Sequence, residues 1–376
     1  VYGGAERVLE AILELYPDAD IHALVDFLPA DQRGWLAGRP IKTSFLQRLP
    51  GARHGFRHLL SLWPVAIEQF DLAGYDLVIS LQFAVAHGAI CGPSQVHVAY
   101  THSPIRYAWD LHLPYLREAR LDRGLRTLYA RHMLHRLRMW DATAAVRIDE
   151  FCANSCFVAA RIKKFYRRES RVIYPPVFLD RFSFNPTKQN YYLYLGRLVR
   201  YKNVEAIVQA FAAMPDRTLV VAGDGPLLKS LRATATANVR VLGRVDDARA
   251  NELMGGARAF IHAAVEDFGI APVEAQAAGT PVIGLAAGGL LETVNGLDAA
   301  CPTGLFFEAP TPEAIRKAVE TFERERWEFR PEDCRANASR FSRSHFHTGF
   351  RGFVQAALRN HGAVDRSAGE RLNAAE

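Results

Sequence analysis

The sequence predicts an α/β protein built from two doubly wound, Rossmann-like domains. Three observations carry this. Compact apolar runs such as Leu77-Val78-Ile79-Ser80-Leu81 and Leu219-Val220-Val221-Ala222 recur along the chain, as parallel strands covered on both faces require. Helix-period segments alternate with them, the order of βαβ units. The rhythm breaks once, between Tyr174-Pro175-Pro176-Val177 and Asn185-Pro186-Thr187-Lys188-Gln189-Asn190, where Pro excludes a helix interior or a central strand. At 376 residues the chain has the length of two such domains.

Taken in order, Gly3-Gly4 leads into an amphipathic helix over 5–15, with Val8, Leu9, Ile12, Leu13 and Leu15 on its apolar side. Strands are expected at 21–25, 77–81 and 96–101, with a helix over 56–70. An Arg-rich helical stretch, 113–140, has Leu121, Leu125, Leu128 and Leu137 as its apolar side. A strand within 148–154 precedes Ser155, a good N-cap for a helix ending near Tyr166. After the break, strands are expected at 191–195, 219–222, 239–242, 259–263 and 281–284. Helices are expected at 204–214, 227–234, 249–254 and 271–278, then two more, then a last amphipathic helix over 344–359. The domains are 1–180 and 188–342. A helix over 343–360 packs back toward the first domain, and a polar tail, 361–376, is expected to be disordered.

Composition narrows the function. With 49% hydrophobic and 23% charged residues, the chain is not a disordered, collagen-like or small disulfide-scaffold protein. The formal charge is +6, a mild excess that suits an anionic ligand or membrane surface. Five scattered cysteines (91, 152, 156, 301, 334) fit a reducing compartment, and Cys152 and Cys156 lack partners for a zinc set. No apolar run approaches the ~20 residues of a membrane helix, and no signal peptide is evident. Nucleic acid is not an expected partner, because basic and aromatic residues do not interleave.

The strongest chemical signal is Glu266-Asp267-Phe268-Gly269-Ile270-Ala271-Pro272-Val273-Glu274. It follows a strand and opens a helix, with Pro272 in the first turn. The backbone N–H groups from Gly269 to Val273 and the helix dipole form an anion site. Glu274, placed in the first turn, can accept two hydrogen bonds from a vicinal diol such as a ribose. Glu266 meets whatever lies beyond the phosphates. The second signal is Gly196-Arg197-Leu198-Val199-Arg200-Tyr201-Lys202, where Arg197 and Lys202 follow a strand and can clamp a diphosphate. Asp18-Ala19-Asp20 precedes a strand instead of following one, and reads as a solvated turn instead of a metal site.

These blocks, with Gly3-Gly4-Ala5-Glu6-Arg7-Val8 and Ala222-Gly223-Asp224-Gly225-Pro226, make the chain resemble glycosyltransferase family 4. Thr101-His102-Ser103-Pro104-Ile105-Arg106-Tyr107-Ala108-Trp109-Asp110, Arg138-Met139-Trp140-Asp141 and Ala153-Asn154-Ser155 resemble its bacterial O-antigen and exopolysaccharide mannosyltransferase branch. The resemblance implies a GT-B fold, two domains facing across a cleft, and hexose transfer with retention from a nucleotide sugar. It assigns Arg197 and Lys202 to the diphosphate, Glu266 to the donor hexose and Glu274 to the ribose. It assigns Phe268, Gly269 and Ile270 to the sugar and phosphates, His102 to the donor sugar, and Gly3 and Gly4 to the donor-facing glycine loop. No metal or other cofactor is implied.

The resulting expectation is a mannosyltransferase using GDP-mannose on a saccharide or polyprenyl-diphosphate-linked acceptor, cytoplasmic and peripheral at the plasma membrane. A UDP-sugar enzyme of the same fold, a nonhydrolysing sugar-nucleotide epimerase and a degenerate sugar-nucleotide-binding subunit are the alternatives. A dehydrogenase fits less well, since no G-x-G-x-x-G follows an early strand. The family's first strand precedes the glycine loop, and this sequence opens at Val1 without it. The expectation is of a missing segment.

Overall fold

The computed structural model describes residues 3–361. Val1, Tyr2 and residues 362–376, which include most of the expected tail, lie outside them. The chain forms two compact units: Val1–Tyr174 with Phe346–Glu376, and Pro175–His345.

In the first unit, β1 (Ile21–Ala23) and β2 (Ile41–Thr43) form a parallel pair. A four-stranded parallel sheet has the order β3 (Leu77–Gln82), β4 (Val96–Thr101), β5 (Glu150–Ala153), β6 (Arg171–Val172). Every residue of β4 is buried, as a strand with neighbours on both edges and helices on its faces should be. The Gly4–Leu15 helix buries Val8, Ala11 and Ile12 at helical spacing against Val96, Val98 and Tyr100. The same core takes Phe346, Phe350, Phe353, Val354 and Ala357 from the Arg343–His361 helix.

The second unit is one six-stranded parallel sheet ordered β12-β11-β10-β7-β8-β9. Its strands are β7 (Tyr192–Leu195), β8 (Leu219–Ala222), β9 (Val239–Gly243), β10 (Ala259–His262), β11 (Val282–Leu285) and β12 (Gly304–Phe307). From β7 the chain builds outward to β9, then returns to lay β10 on the other side of β7. That reversal makes β7 and β10 the switch point, and ligands of open α/β sheets sit beyond the strand ends there. Tyr192, Leu193, Ile207, Phe211, Ile261, Ile283 and Phe322 fill the layers around the sheet, each essentially inaccessible to solvent.

Several expectations need correction. The 113–140 stretch is not continuous: it forms helices His112–Glu118 and Leu125–Val146, separated by Arg120 at φ +55° and Gly124 at φ +79°. Its apolar side is also different in part, since Leu137 is buried as expected but Leu125 and Leu128 are exposed, and the helix buries Thr127, Leu134 and Asp141 as well. β1 stops at Ala23, two residues early. Residues 56–70 are a 3-10 segment, Phe56–Leu62, followed by a helix only over Trp63–Glu68. β2, β6 and β12 were not expected at all. The thiols divide, with Cys152 and Cys334 buried and Cys156 and Cys301 exposed.

Candidate functional site

The loops leaving the two switch-point strands carry the residues the sequence singled out. After β7 comes Gly196–Asn203, and after β10 comes Ala263–Gly269. They are held by backbone. Gly196 N–H donates to Ala222 O (3.1 Å), Leu198 N–H to Asp224 O (2.8 Å) and Leu227 N–H to Leu198 O (3.1 Å), so the loops after β7 and β8 are zipped together. This contact requires glycine: at Gly223 (φ +137°) a Cβ would fall 1.8 Å from the Gly196 carbonyl oxygen. On the other side Asn203, itself at φ +53°, donates from its side chain to Ala263 O (2.7 Å).

Lys202 and Glu266 meet in this frame. Lys202 Nζ donates to Glu266 Oε1, with both side chains about four-fifths buried, at 17% and 21% exposure. Arg197 donates to the Tyr201 hydroxyl, and its guanidinium lies over the Tyr201 ring (5.8 Å), as does Lys202 Nζ (5.6 Å). Tyr194 OH holds the loop from below by donating to Arg197 O (2.9 Å). Beneath the Lys202 ammonium, at the end of β10, His262 is fully buried. Burial and the Lys202 charge push its pKa down to about 3, so it stays neutral.

The Glu266–Glu274 block forms the second wall. Gly269, at φ +89°, is the N-cap of the Ile270–Ala277 helix, a conformation open to glycine at little cost. Phe268 is buried and packs edge-on against Phe341 (5.4 Å). Gly289 N–H donates to Glu266 O (2.9 Å), and Glu266 pairs with Gly288 in a parallel bridge, so Gly288 and Gly289 belong to the frame although the sequence did not single them out. The helix starts at Ile270, which puts Pro272 third and Glu274 fifth. Glu274 therefore lies just past the first turn, not within it, and is nearly buried.

The first unit contributes separate features. Gly3, extended at φ −147°, caps the first helix, Gly4 is its first residue, and Gly3 N–H donates to Glu6 Oε2 (2.9 Å). His102 follows β4 directly. Its backbone N–H donates to Gln82 O (2.7 Å) and its carbonyl accepts from the Asn154 side chain (3.1 Å). Its Nε2 is buried with no hydrogen-bond partner among the described residues, and burial lowers its pKa to about 4, so the imidazole is neutral.

The loop after His102 is tied to two helices, Leu125–Val146 and Cys156–Tyr166. Ser103 and Asp110 accept from Arg161 (2.7 and 2.6 Å). Arg138 donates to Ala108 O (2.7 Å). Asp141 Oδ2 accepts from Trp109 Nε1 (2.7 Å) and the Tyr166 hydroxyl (2.9 Å), and burial pushes its pKa up to about 7. The Arg138-Met139-Trp140-Asp141 and Ala153-Asn154-Ser155 motifs are thus largely posts for the His102 loop. Asp20 of the Asp-Ala-Asp turn pairs instead with Lys42 Nζ (2.8 Å) at the surface. Among the described residues no three His, Cys, Asp or Glu converge as a metal site.

Residues 178–341, which lie within the second unit, match the glycosyl transferases group 1 family. The chain is 37% identical over 103 residues to a GDP-mannose-dependent monoacylated alpha-(1-6)-phosphatidylinositol monomannoside mannosyltransferase of Corynebacterium glutamicum, covering 24% of this chain and 27% of that one. It is 32% identical over 136 residues to a GDP-mannose-dependent alpha-(1-6)-phosphatidylinositol dimannoside mannosyltransferase of Mycobacterium tuberculosis, covering 34% of each. The chain thus spans about a quarter to a third of the length of these curated relatives. Its fold is similar to that of Anabaena Alr3699/HepE, solved in complex with UDP and glucose, with a TM-score of 0.68 and 18% identity over 94% of this chain and 96% of that one. The fold is α/β with parallel sheets, of the GT-B class.

Proposed function

We propose that the chain is a glycosyltransferase that moves mannose from GDP-mannose to a saccharide or lipid-linked saccharide, in assembly of a cell-surface polysaccharide at the cytoplasmic face. The observation that carries this reading is the pairing of Lys202 with Glu266, beside Arg197, beyond the ends of β7 and β10. A cation pair, a carboxylate and a helix start beside a sheet's switch point support nucleotide binding there. The match of residues 178–341 to the glycosyl transferases group 1 family supports the reaction class. The mannosyltransferase relatives support the donor.

In this reading Lys202 and Glu266 balance each other's charge. A donor diphosphate competes for the Lys202 ammonium, and Glu266 is released to accept from hydroxyls of the sugar. Arg197, Lys202 and the N–H groups of the Ile270–Ala277 helix start take up the negative charge that grows on the leaving phosphate. Those charges do the neutralising, so no metal is required. The bond from the anomeric carbon to the phosphate oxygen breaks as the acceptor oxygen bonds to the same face. The acceptor proton passes to the departing phosphate oxygen, which gives retention without a paired-carboxylate displacement. Glu274 accepts from the ribose diol. The family resemblance alone assigns His102 of the first unit to the sugar, and Gly3 and Gly4 to the phosphates.

A thermal-shift panel of GDP-mannose, UDP-glucose, UDP-N-acetylglucosamine and NAD tests the donor, because a ligand of the folded state raises its stability. GDP-mannose should give the largest shift. A shift with UDP-sugars alone transfers the reading to a UDP-sugar enzyme, and one with NAD alone ends it. Glu274→Ala should weaken nucleotide binding, and His102→Ala should cut turnover more than donor affinity.

A further inference from the structure

The two cations of the loop after β7 are held by different neighbours. Lys202 Nζ donates to the Glu266 carboxylate, whereas Arg197 donates to the hydroxyl of Tyr201. Both cations also meet the same aromatic ring. Arg197 Cζ lies 5.8 Å and Lys202 Nζ 5.6 Å from the centre of Tyr201. A cation within about 6 Å of a ring centre is attracted by the negative π face. One ring thus draws in two like charges that would otherwise repel each other across the loop.

The backbone fixes where that ring stands. Tyr201 is the middle residue of a 3-10 turn, Arg200–Lys202. The Tyr194 hydroxyl holds the loop at Arg197 O (2.9 Å), Lys202 N–H donates to Val199 O (3.1 Å), and the Asn203 side chain ties the far end to Ala263 O (2.7 Å). The core around β7 takes Tyr192, Tyr194 and Leu198, but Tyr201 stays outside it at 41% exposure. Its ring therefore serves the surface of the loop. The two kinds of contact differ in what a ligand can leave intact. The hydroxyl occupies an N–H of Arg197, which a phosphate oxygen has to take over. The ring uses up no N–H: a guanidinium carries five and an ammonium three, and attraction to the π face leaves them to point at phosphate oxygens.

We propose that Tyr201 is a positioning residue for the diphosphate: its ring keeps Arg197 and Lys202 converged, so that a nucleoside diphosphate is bound in preference to a monophosphate. The inference rests on the reading of this loop as the diphosphate site, and adds that the ring, not the hydroxyl, sets the selectivity. Tyr201 touches no reacting atom and acts only through the two cations. Charges gathered beforehand spare the ligand the cost of assembling them on arrival.

The test is calorimetric titration of the full chain with GDP and with GMP, for the parent, Tyr201→Leu, Tyr201→Phe and Lys202→Ala. Tyr201→Leu should lower GDP affinity about tenfold and GMP affinity less than about twofold. Tyr201→Phe keeps the ring and should stay within about threefold of the parent for both nucleotides. The side chain stands outside the core, so each Tyr201 variant should melt within about 2 °C of the parent. Tyr201→Gln, equally ringless, should repeat the Tyr201→Leu result, and it decides the matter if the leucine variant melts early. An equal loss for GDP and GMP would mark damage to the loop and overturn the proposal. So would a GDP preference that survives in Tyr201→Leu while Lys202→Ala erases it, since the nucleotide site would then stand with no part for the ring. A loss in Tyr201→Phe as large as in Tyr201→Leu would move the role to the hydroxyl and overturn it too. If the parent shows no preference for GDP over GMP, the reading of the site itself fails, and the proposal with it.

Discussion

The two units position their candidate residues by opposite means. In the second unit, Arg197, Lys202 and Glu266 stand on loops fixed by backbone hydrogen bonds, and their charges stay at a partly open surface. In the first unit, the His102 loop is fixed by side chains, most of them buried: Arg161 to Ser103 and Asp110, and Trp109 and Tyr166 to Asp141. A backbone frame depends on glycine and is indifferent to pH. A side-chain frame depends on protonation states, since each buried donor or acceptor must keep its partner. The comparison implies that the units should fail under different insults.

Acid should separate them most strongly. The first unit holds His87, His97 and His102 neutral, with pKa values lowered by burial to about 4, 3 and 4, and the second holds His262, near 3. A lowered histidine pKa gives stability that is complete above the unfolded value of about 6.5 and is lost as pH falls toward the folded value. Asp141 works the other way. Its folded pKa near 7 exceeds the unfolded value of about 3.9, so it keeps a proton that the unfolded chain has lost, and acidification across that window is favourable. Three histidines less one carboxyl leave a net two protons, or roughly 2.7 kcal/mol per pH unit for the first unit against about 1.4 for the second. Segment-resolved hydrogen exchange at pH 7 and pH 5 should show β3–β5 losing protection well before β7–β10. Equal losses would break the comparison.

The next effect falls on chemistry. Lys202→Ala or Arg197→Ala should each lower kcat/KM for transfer by about 10²–10³-fold with little change in melting temperature, since each removes charge facing the leaving group. Gly223→Ala should act on stability instead. With the new Cβ 1.8 Å from the Gly196 carbonyl and φ at +137°, the loops after β7 and β8 must part, at a cost of about 3 kcal/mol, a fall of roughly 6–12 °C. Calorimetry of the variant checks it, and a shift under 2 °C would show that the zip is not what holds the site. Smallest is Ser155→Ala, which removes the N-cap that accepts from Val158 N–H (3.1 Å) and should cost about 1 kcal/mol in the first unit alone.

What the sequence made legible follows the same division. Strands such as β8 and β4 were plain because every position is buried, so the runs are apolar apart from His97 and Thr101 in β4. β2 was not, because Ile41-Lys42-Thr43 is short and half polar, and β12 because Gly304-Leu305-Phe306-Phe307 follows Pro302-Thr303 like the end of a turn. The break at Arg120–Gly124 escaped because its Arg, Leu and Asp residues are compatible with a helix, and only the backbone angles reveal the stop. For the site, the charged blocks announced themselves through spacing and helix-start chemistry. Their pairing did not: Lys202 and Glu266 are 64 residues apart in sequence, and meet because β10 is laid beside β7. The Asp141 knot draws on three separate segments, and no local pattern encodes it.

Calorimetric titration of the parent and Lys202→Ala proteins with GDP and with GMP tests the central claim most directly. The account predicts that the parent binds GDP at least tenfold more tightly than GMP, and that Lys202→Ala erases most of that difference while leaving GMP binding unchanged. Equal affinity of the parent for GDP and GMP, or a preference that survives the substitution intact, would contradict it.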